Sequence, residues 1–251
     1  MEKMSSRHNG ILELLIDNGK IEVAKLSDLF HFSQVTIRKD LDELESKGLI
    51  TRNHGFATLN TNDDINLRMA NHYEQKQRIA KLACRMIKDE EVVMLESGSC
   101  CAMLAHEIAK TKKDVTIITN SAFIASYVRK ESRVHIILLG GEYQKEAQVM
   151  VGPITKKCAE VFHVDKFFIG IDGFSKDIGF TGNNYMRSET VKDLAEFANH
   201  VVVISDSSKF NKKSTVKLLP VHKIKAVITD KDLEDDITEY FKLNKVKLYK
   251  A

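Results

Sequence analysis

The sequence predicts an α/β protein in two parts: an N-terminal winged helix-turn-helix domain and a C-terminal Rossmann-like domain built on a parallel sheet. Three observations predict it. Residues 33–48, SQVTIRKDLDELESKG, read as a capped amphipathic helix, with a shorter amphipathic helix and a tight turn before it. Two short strand patterns follow, on either side of Asn53-His54-Gly55. From Glu91 onward, short apolar runs alternate with helical stretches, the pattern of a parallel sheet covered on both faces. Residues 1–59 are assigned to the first domain, 60–72 to a polar linker and 73–251 to the second domain.

In the first domain, residues 6–17 carry Ile11, Leu12, Leu14, Leu15 and Ile16 on a helix that Gly19 ends, and residues 21–23 are extended. Val23, Leu26, Leu29 and Phe30 recur at helical spacing in VAKLSDLF, and His31-Phe32 makes the turn. Ser33 is a good N-cap, because its hydroxyl can accept a bond from an otherwise orphaned backbone N–H. Gly48 suits the stop, because it can enter the left-handed conformation that closes a helix. Between them Ile37, Leu41 and Leu44 make one apolar stripe. The expected core is Ile11, Leu15, Leu26, Leu29, Ile37, Leu41 and Leu44. Leu49-Ile50-Thr51-Arg52 and Phe56-Ala57-Thr58-Leu59 form the wing.

A helix with a narrow buried stripe and short or cationic residues near its N-terminus suits a DNA major groove. Net charge does not decide the matter, since residues 1–60 hold eight Lys and Arg against nine Asp and Glu. Placement does. Arg38 and Lys39 lie on the outer face of the helix with Val35 and Asp42, while Arg52 and His54 lie in the wing. Gln34, Thr36, Arg38 and Lys39 are expected to meet DNA, with Arg38 reading guanine, and Arg52 and His54 to touch phosphates. A homodimer or homotetramer follows, because two-fold operators match two-fold proteins. The competing readings are a helical bundle with a solvated charged face, or an interaction module that binds no nucleic acid.

The apolar fraction of 43% is that of an ordinary globular chain, so the second domain can bury a sizeable core. No apolar run reaches the roughly 20 residues of a membrane span. MEKMSSRHNG lacks the apolar core of a signal peptide, and a cytoplasmic location is expected. Cys84, Cys100, Cys101 and Cys158 show no metal-binding spacing and are expected as free thiols. A redox role for the vicinal pair Cys100-Cys101 is a weaker reading. No metal or cofactor is expected.

The second domain opens with a helix over 73–88, where Ile79, Leu82, Ala83, Met86 and Ile87 are apolar. The strand runs start at Val92, Val115, Val134, Lys166, Val201 and Ala226, with an edge strand from Val246. Helices are expected over 101–110, 121–129, 155–162, 187–198 and 235–243. In open α/β sheets, ligands bind outside the carboxyl ends of the strands. Polar or glycine clusters follow five of the runs: Glu96-Ser97-Gly98-Ser99-Cys100-Cys101, Asn120-Ser121, Gly140-Gly141-Glu142-Tyr143, Ile171-Asp172-Gly173 and Asp206-Ser207-Ser208-Lys209. Five clusters at one end predict a shared pocket. Small residues at 97–101 let backbone N–H groups approach an anion at a helix N-terminus. Lys209 adds a cation, and Ser97, Ser99, Asn120 and Asp172 add hydrogen-bonding groups. A ligand with one phosphate and several hydroxyls suits them. The alternative is that Asn120 and Asp172 only cap local structure and Lys209 is solvated.

The run SQVTIRKDLDELESKGLITRNHGFA resembles the N-terminal signature of the DeoR family of bacterial transcriptional regulators, with Lys39 and Phe56 in place of an Arg and a Gly. The order of ESGS, TNS, GGEY, GIDG and SDSSKF is similar to that family's C-terminal sensor domain. The resemblance implies a sensor fold related to ribose-5-phosphate isomerases and glucosamine-6-phosphate deaminases. It also implies a phosphorylated sugar, or sugar derivative, as effector and repression as the usual mode. Carried over, Ser97, Gly98, Ser99, Cys100 and Cys101 are the phosphate loop, and Asn120, Ser121, Gly140, Gly141, Asp172 and Lys209 line the rest. Two departures stand out. A thiol, Cys100, replaces a hydroxyl of the family's Asp-x-Gly-Thr-Thr, and Ser188 stands where a Glu is usual. Arg187 is expected to supply a second phosphate contact. An enzyme reading, a sugar-phosphate isomerase or deaminase with Asp172 as general base beside Lys209, is the alternative.

Overall fold

The structure is a computed structural model and describes residues 5–46, 49–53, 55–59 and 64–251. Gly48 and His54 therefore lie outside the described residues. The chain divides into two compact units, residues 1–73 and 74–251.

The first unit opens with α1 (Ser6–Asn18), capped by the Ser5 hydroxyl and closed by Gly19. Strand β1 (Lys20–Glu22) leads into α2 (Val23–Phe30). His31 adopts the left-handed conformation at φ 56° and turns the chain into α3 (Gln34–Ser46). The expected cap is in place, with Ser33 Oγ accepting from Thr36 N at 3.2 Å. Strands β2 (Ile50–Asn53) and β3 (Phe56–Leu59) make the wing hairpin, and β1 adds a third strand alongside β3. The core holds Ile11, Leu15, Leu26, Ile37, Leu41 and Leu44, as the spacing predicts. Leu29 is a correction: it is 51% exposed. A helix of only two turns presents one side to the core, and Val23 and Leu26 occupy it. Part of the stretch expected as linker is also helical. Asp64 caps α4 (Ile65–Ala70), and Leu67 and Ala70 join the N-terminal core.

The second unit runs α5 (Tyr73–Cys84), β4 (Val92–Leu95), α6 (Ser99–Thr111), β5 (Val115–Thr119), α7 (Ala122–Tyr127) and β6 (Val134–Leu138). A hairpin, β7 (Glu142–Gln144) and β8 (Val149–Val151), precedes α8 (Pro153–Ala159) and β9 (Val164–Ile169). Then come β10 (Gly173–Ser175), β11 (Gly179–Gly182), α9 (Tyr185–Ala195), β12 (Ala198–Ile204), β13 (Val216–Lys217), β14 (Ile224–Thr229), α10 (Asp235–Leu243) and β15 (Lys247–Lys250). Helix α5 stops at Cys84, short of the expected 88, and α9 starts earlier and ends earlier than expected.

Seven strands form one sheet in the order β15-β14-β12-β9-β4-β5-β6, every neighbouring pair parallel. On β9, Phe167 and Ile169 join a core with Val191 and Leu194 of α9 and Phe241 of α10. Phe168 points to the opposite face and is equally buried. Both faces are thus covered, which is why these strands read as unbroken apolar runs. The order reverses beside β4: β5 and β6 extend to one side, and β9 returns on the other. That reversal is the topological switch point, where open α/β sheets bind ligands.

Candidate functional site

The first candidate surface is the outer face of α3. Gln34, Val35, Arg38 and Lys39 are exposed and Thr36 is half-buried. Val35 is 63% exposed and takes no part in the core. Among the described residues, Arg38 and Lys39 carry no carboxylate partner. Arg52 differs. Its guanidinium lies against Asp42 and Glu45 of α3. Behind the surface, Asp40 is buried and accepts from Arg7 Nη2 at 2.8 Å, with His8 Nε2 3.1 Å away. This anchor between α1 and α3 was not expected, although Asp40 shares the stripe of Ile37, Leu41 and Leu44. Arg7 also lies over the Phe32 ring at 4.4 Å, which ties the turn to α1.

The second candidate site lies at the switch point. Glu96, at the end of β4, is buried. Its carboxylate accepts from Ser97 Oγ (2.8 Å), Gly98 N (2.7 Å) and, across the switch, Gly170 N (3.2 Å). A Cβ on Gly98 would stand 2.9 Å from Glu96 Oε2 and 3.3 Å from Gly170 Cα, so a side chain here would crowd the carboxylate and the facing loop. Gly98 also offers no side chain to cap α6, leaving the first-turn N–H groups of a 13-residue helix without a side-chain cap.

The other loops arrive at the same edge of the sheet, because all its strands are parallel. Asn120 is 2% exposed. Its Nδ2 donates to Met150 O at 2.8 Å, while its Oδ1 finds no partner. It follows Thr119, the last residue of β5 to pair with β4. Ser121 caps α7 by accepting from Ile124 N. Gly140 is exposed. Gly141 packs so closely on α8 and β8 that a Cβ would overlap Thr155 Oγ1 at 2.0 Å. Asp172 Oδ2 accepts from Asn183 N at 2.9 Å, and Asn183 Oδ1 accepts from Arg187 Nη2 at 3.0 Å. Asp172 and Arg187 are thereby linked through one asparagine.

Burial pushes the Cys100 thiol up to about 12; Lys76 and Lys209 pull it back, while Asp206 adds to the rise. These three charges act on the thiol through space. Cys101 is raised well above the ordinary range, also by burial. Neither is a ready thiolate, which speaks against a redox role. Lys209 is half-buried on a short 3₁₀ turn. Lys76 was missed, and Asp206 was named only within its loop cluster; both are buried. For Lys76 the signal existed, because it lies on the buried face of α5 with Ile79, Ala80 and Ala83. The described residues hold no cluster of His, Cys, Asp and Glu suited to a metal ion. No helix among them is long and apolar enough to cross a membrane.

A winged helix-turn-helix unit joined to an α/β unit whose polar loops follow the carboxyl ends of one parallel sheet is the make-up of a ligand-sensing regulator class. Profiles of known families agree. One described as a DeoR-like helix-turn-helix domain matches residues 7–63, and the DeoR C-terminal sensor domain matches residues 71–231. The chain belongs to the DeoR family of transcriptional regulators. It is 30% identical to the glycerol-3-phosphate regulon repressor of Escherichia coli K12, over 91% of each chain. It is 25% identical to the HTH-type transcriptional regulator IolR of Bacillus subtilis, over 95% of this chain and 96% of that one. Among solved structures, ribose 5-phosphate isomerase A of Methanocaldococcus jannaschii matches 57% of this chain and 56% of its own, at 22% identity and a TM-score of 0.41.

Proposed function

We propose that the protein is a cytoplasmic repressor of a sugar-metabolism operon, and that a phosphorylated sugar or sugar derivative releases it from operator DNA. The observation that carries this reading is the junction at the switch point. Glu96 ties the loops after β4 and β9 together beneath an uncapped helix N-terminus. Lys76 and Lys209 both favour negative charge on the Cys100 thiol, against Asp206, which opposes it. The phosphate would lie on residues 97–101, and Asn120, Ser121, Gly140, Gly141, Asp172, Arg187 and Lys209 would border the sugar. The orphaned Asn120 Oδ1 is a ready acceptor for a sugar hydroxyl. Asp172 is held by the Asn183 backbone, a positioning role that needs no proton transfer and favours binding over the enzyme reading. A relative named as a glycerol-3-phosphate regulon repressor supports repression as the sign of regulation. The active form is proposed to be a homodimer or homotetramer on a two-fold operator.

A thermal-shift screen against sugar phosphates tests the effector. A ligand that binds only the folded state at about 100 times its Kd adds roughly 2.7 kcal/mol of stability. Arg187→Ala is expected to weaken that shift while leaving the ligand-free melting temperature unchanged; an unaltered shift would remove Arg187 from the site. On the other surface, Gln34, Thr36, Arg38 and Lys39 meet the DNA. Arg38→Ala should cost about 1–3 kcal/mol of binding and relax specificity at one base pair, read from affinities for single-substituted duplexes. Equal weakening on all duplexes would make Arg38 a phosphate contact instead.

A further inference from the structure

Beyond the core that Ile50 and Ala57 share with Ile37, Leu41 and Leu44, Arg52 ties the wing to α3. Arg52 of β2 sends its backbone N–H to Glu45 Oε1 at 2.9 Å and its Nε–H to Glu45 Oε2 at 3.0 Å. Its Nη2 pairs with Glu45 Oε2 at 2.9 Å and also with Asp42. Glu45 and Asp42 are three residues apart on α3 and so lie on one face. The Arg52 backbone N–H, more than its side chain, holds the Glu45 carboxyl below the ordinary carboxylate range. One guanidinium between two carboxylates leaves the cluster net negative. A phosphate approaching Arg52 would meet both carboxylates, whereas Arg38 and Lys39 carry neither among the described residues.

We infer that Arg52 is a positioning residue rather than a phosphate contact: with Glu45 and Asp42 it fixes the wing hairpin against α3, and DNA affinity depends on that fixed placement. This rests on the reading of α3 and the wing as a DNA-contact surface. It has a consequence opposite to simple electrostatics. Removing the negative charge of Glu45 should tighten DNA binding if charge alone mattered. If the clamp matters, removing it loosens the wing and weakens binding.

The test uses the full-length chain and a duplex that it enriches from a random library, with affinity measured by fluorescence anisotropy across a salt series. Glu45→Gln is expected to weaken binding roughly fivefold, the scale of one well-formed surface ion pair. Arg52→Gln should weaken it similarly, with the slope of log Kd against log salt unchanged from wild type. The double variant should be no weaker than either single, because both break one clamp. Tighter binding by Glu45→Gln would overturn the inference. So would a slope for Arg52→Gln reduced by about 0.9, the signature of one lost phosphate contact. Should Arg52→Gln fail to fold, the near-isosteric Glu45→Gln carries the test alone. Failure of the wild-type chain to enrich any duplex would overturn the DNA-contact reading and the inference with it.

Discussion

Replacing Asp40 with alanine should cost the N-terminal unit about 3 kcal/mol and abolish DNA binding without touching the sensor unit. Asp40 is 5% exposed and takes both arms of Arg7, Nε at 2.5 Å and Nη2 at 2.8 Å, with His8 Nε2 at 3.1 Å. Its removal leaves an arginine and a buried imidazole without their acceptor. A buried pair broken on one side costs about 3–5 kcal/mol. The low end applies here, because the Arg7 side chain is 27% exposed and water can take part of its load. For a unit of this size each kcal/mol lowers the melting temperature by roughly 4–8 °C, so a separate early transition should appear by calorimetry. Asp40→Asn, which keeps one acceptor, should fall between. A melting curve like wild type would show that the Arg7–Asp40–His8 network adds nothing to stability.

Glu96→Ala should be comparably severe in the sensor unit. Ser97 Oγ, Gly98 N and Gly170 N all spend their donors on this carboxylate, and all would be left unsatisfied. Each buried donor without a partner costs about 1–3 kcal/mol, so a total of roughly 3 kcal/mol is expected after local relaxation. The functional effect should be larger than the thermal one. Glu96 joins the loops on either side of the switch point, and their separation would misplace the first turn of α6. Sugar-phosphate stabilisation should vanish in Glu96→Ala and survive in part in Glu96→Gln, whose amide oxygen still accepts. Full retention of effector binding by the alanine variant would show that the phosphate does not depend on this turn.

Sequence periodicity reached the helices and the parallel strands because their burial is repetitive. Ile37, Leu41 and Leu44 are fully buried, and the strand runs are apolar on both faces. It did not reach β7, β8, β10, β11 and β13, which are four residues or shorter and carry no usable alternation. Nor did it reach α4, whose six residues hold too few turns to show a stripe. At the sites, residue types next to strand ends were legible, whereas their bonds were not. Glu96 bridges positions 74 residues apart, and nothing local announces Gly170 as its partner. Asp40 and Lys76 shared one overlooked signal, a charge set inside an apolar stripe. Such a charge requires a buried partner or ligand and is seldom an accident.

Anisotropy of the enriched duplex, titrated with sugar phosphates and with the same sugars lacking phosphate, tests the central claim most directly. The account predicts that at least one phosphorylated compound weakens duplex binding tenfold or more, about 1.4 kcal/mol of coupling, and that its unphosphorylated parent has no effect. Equal action by the parent sugar, or indifference to every phosphorylated compound, would contradict it.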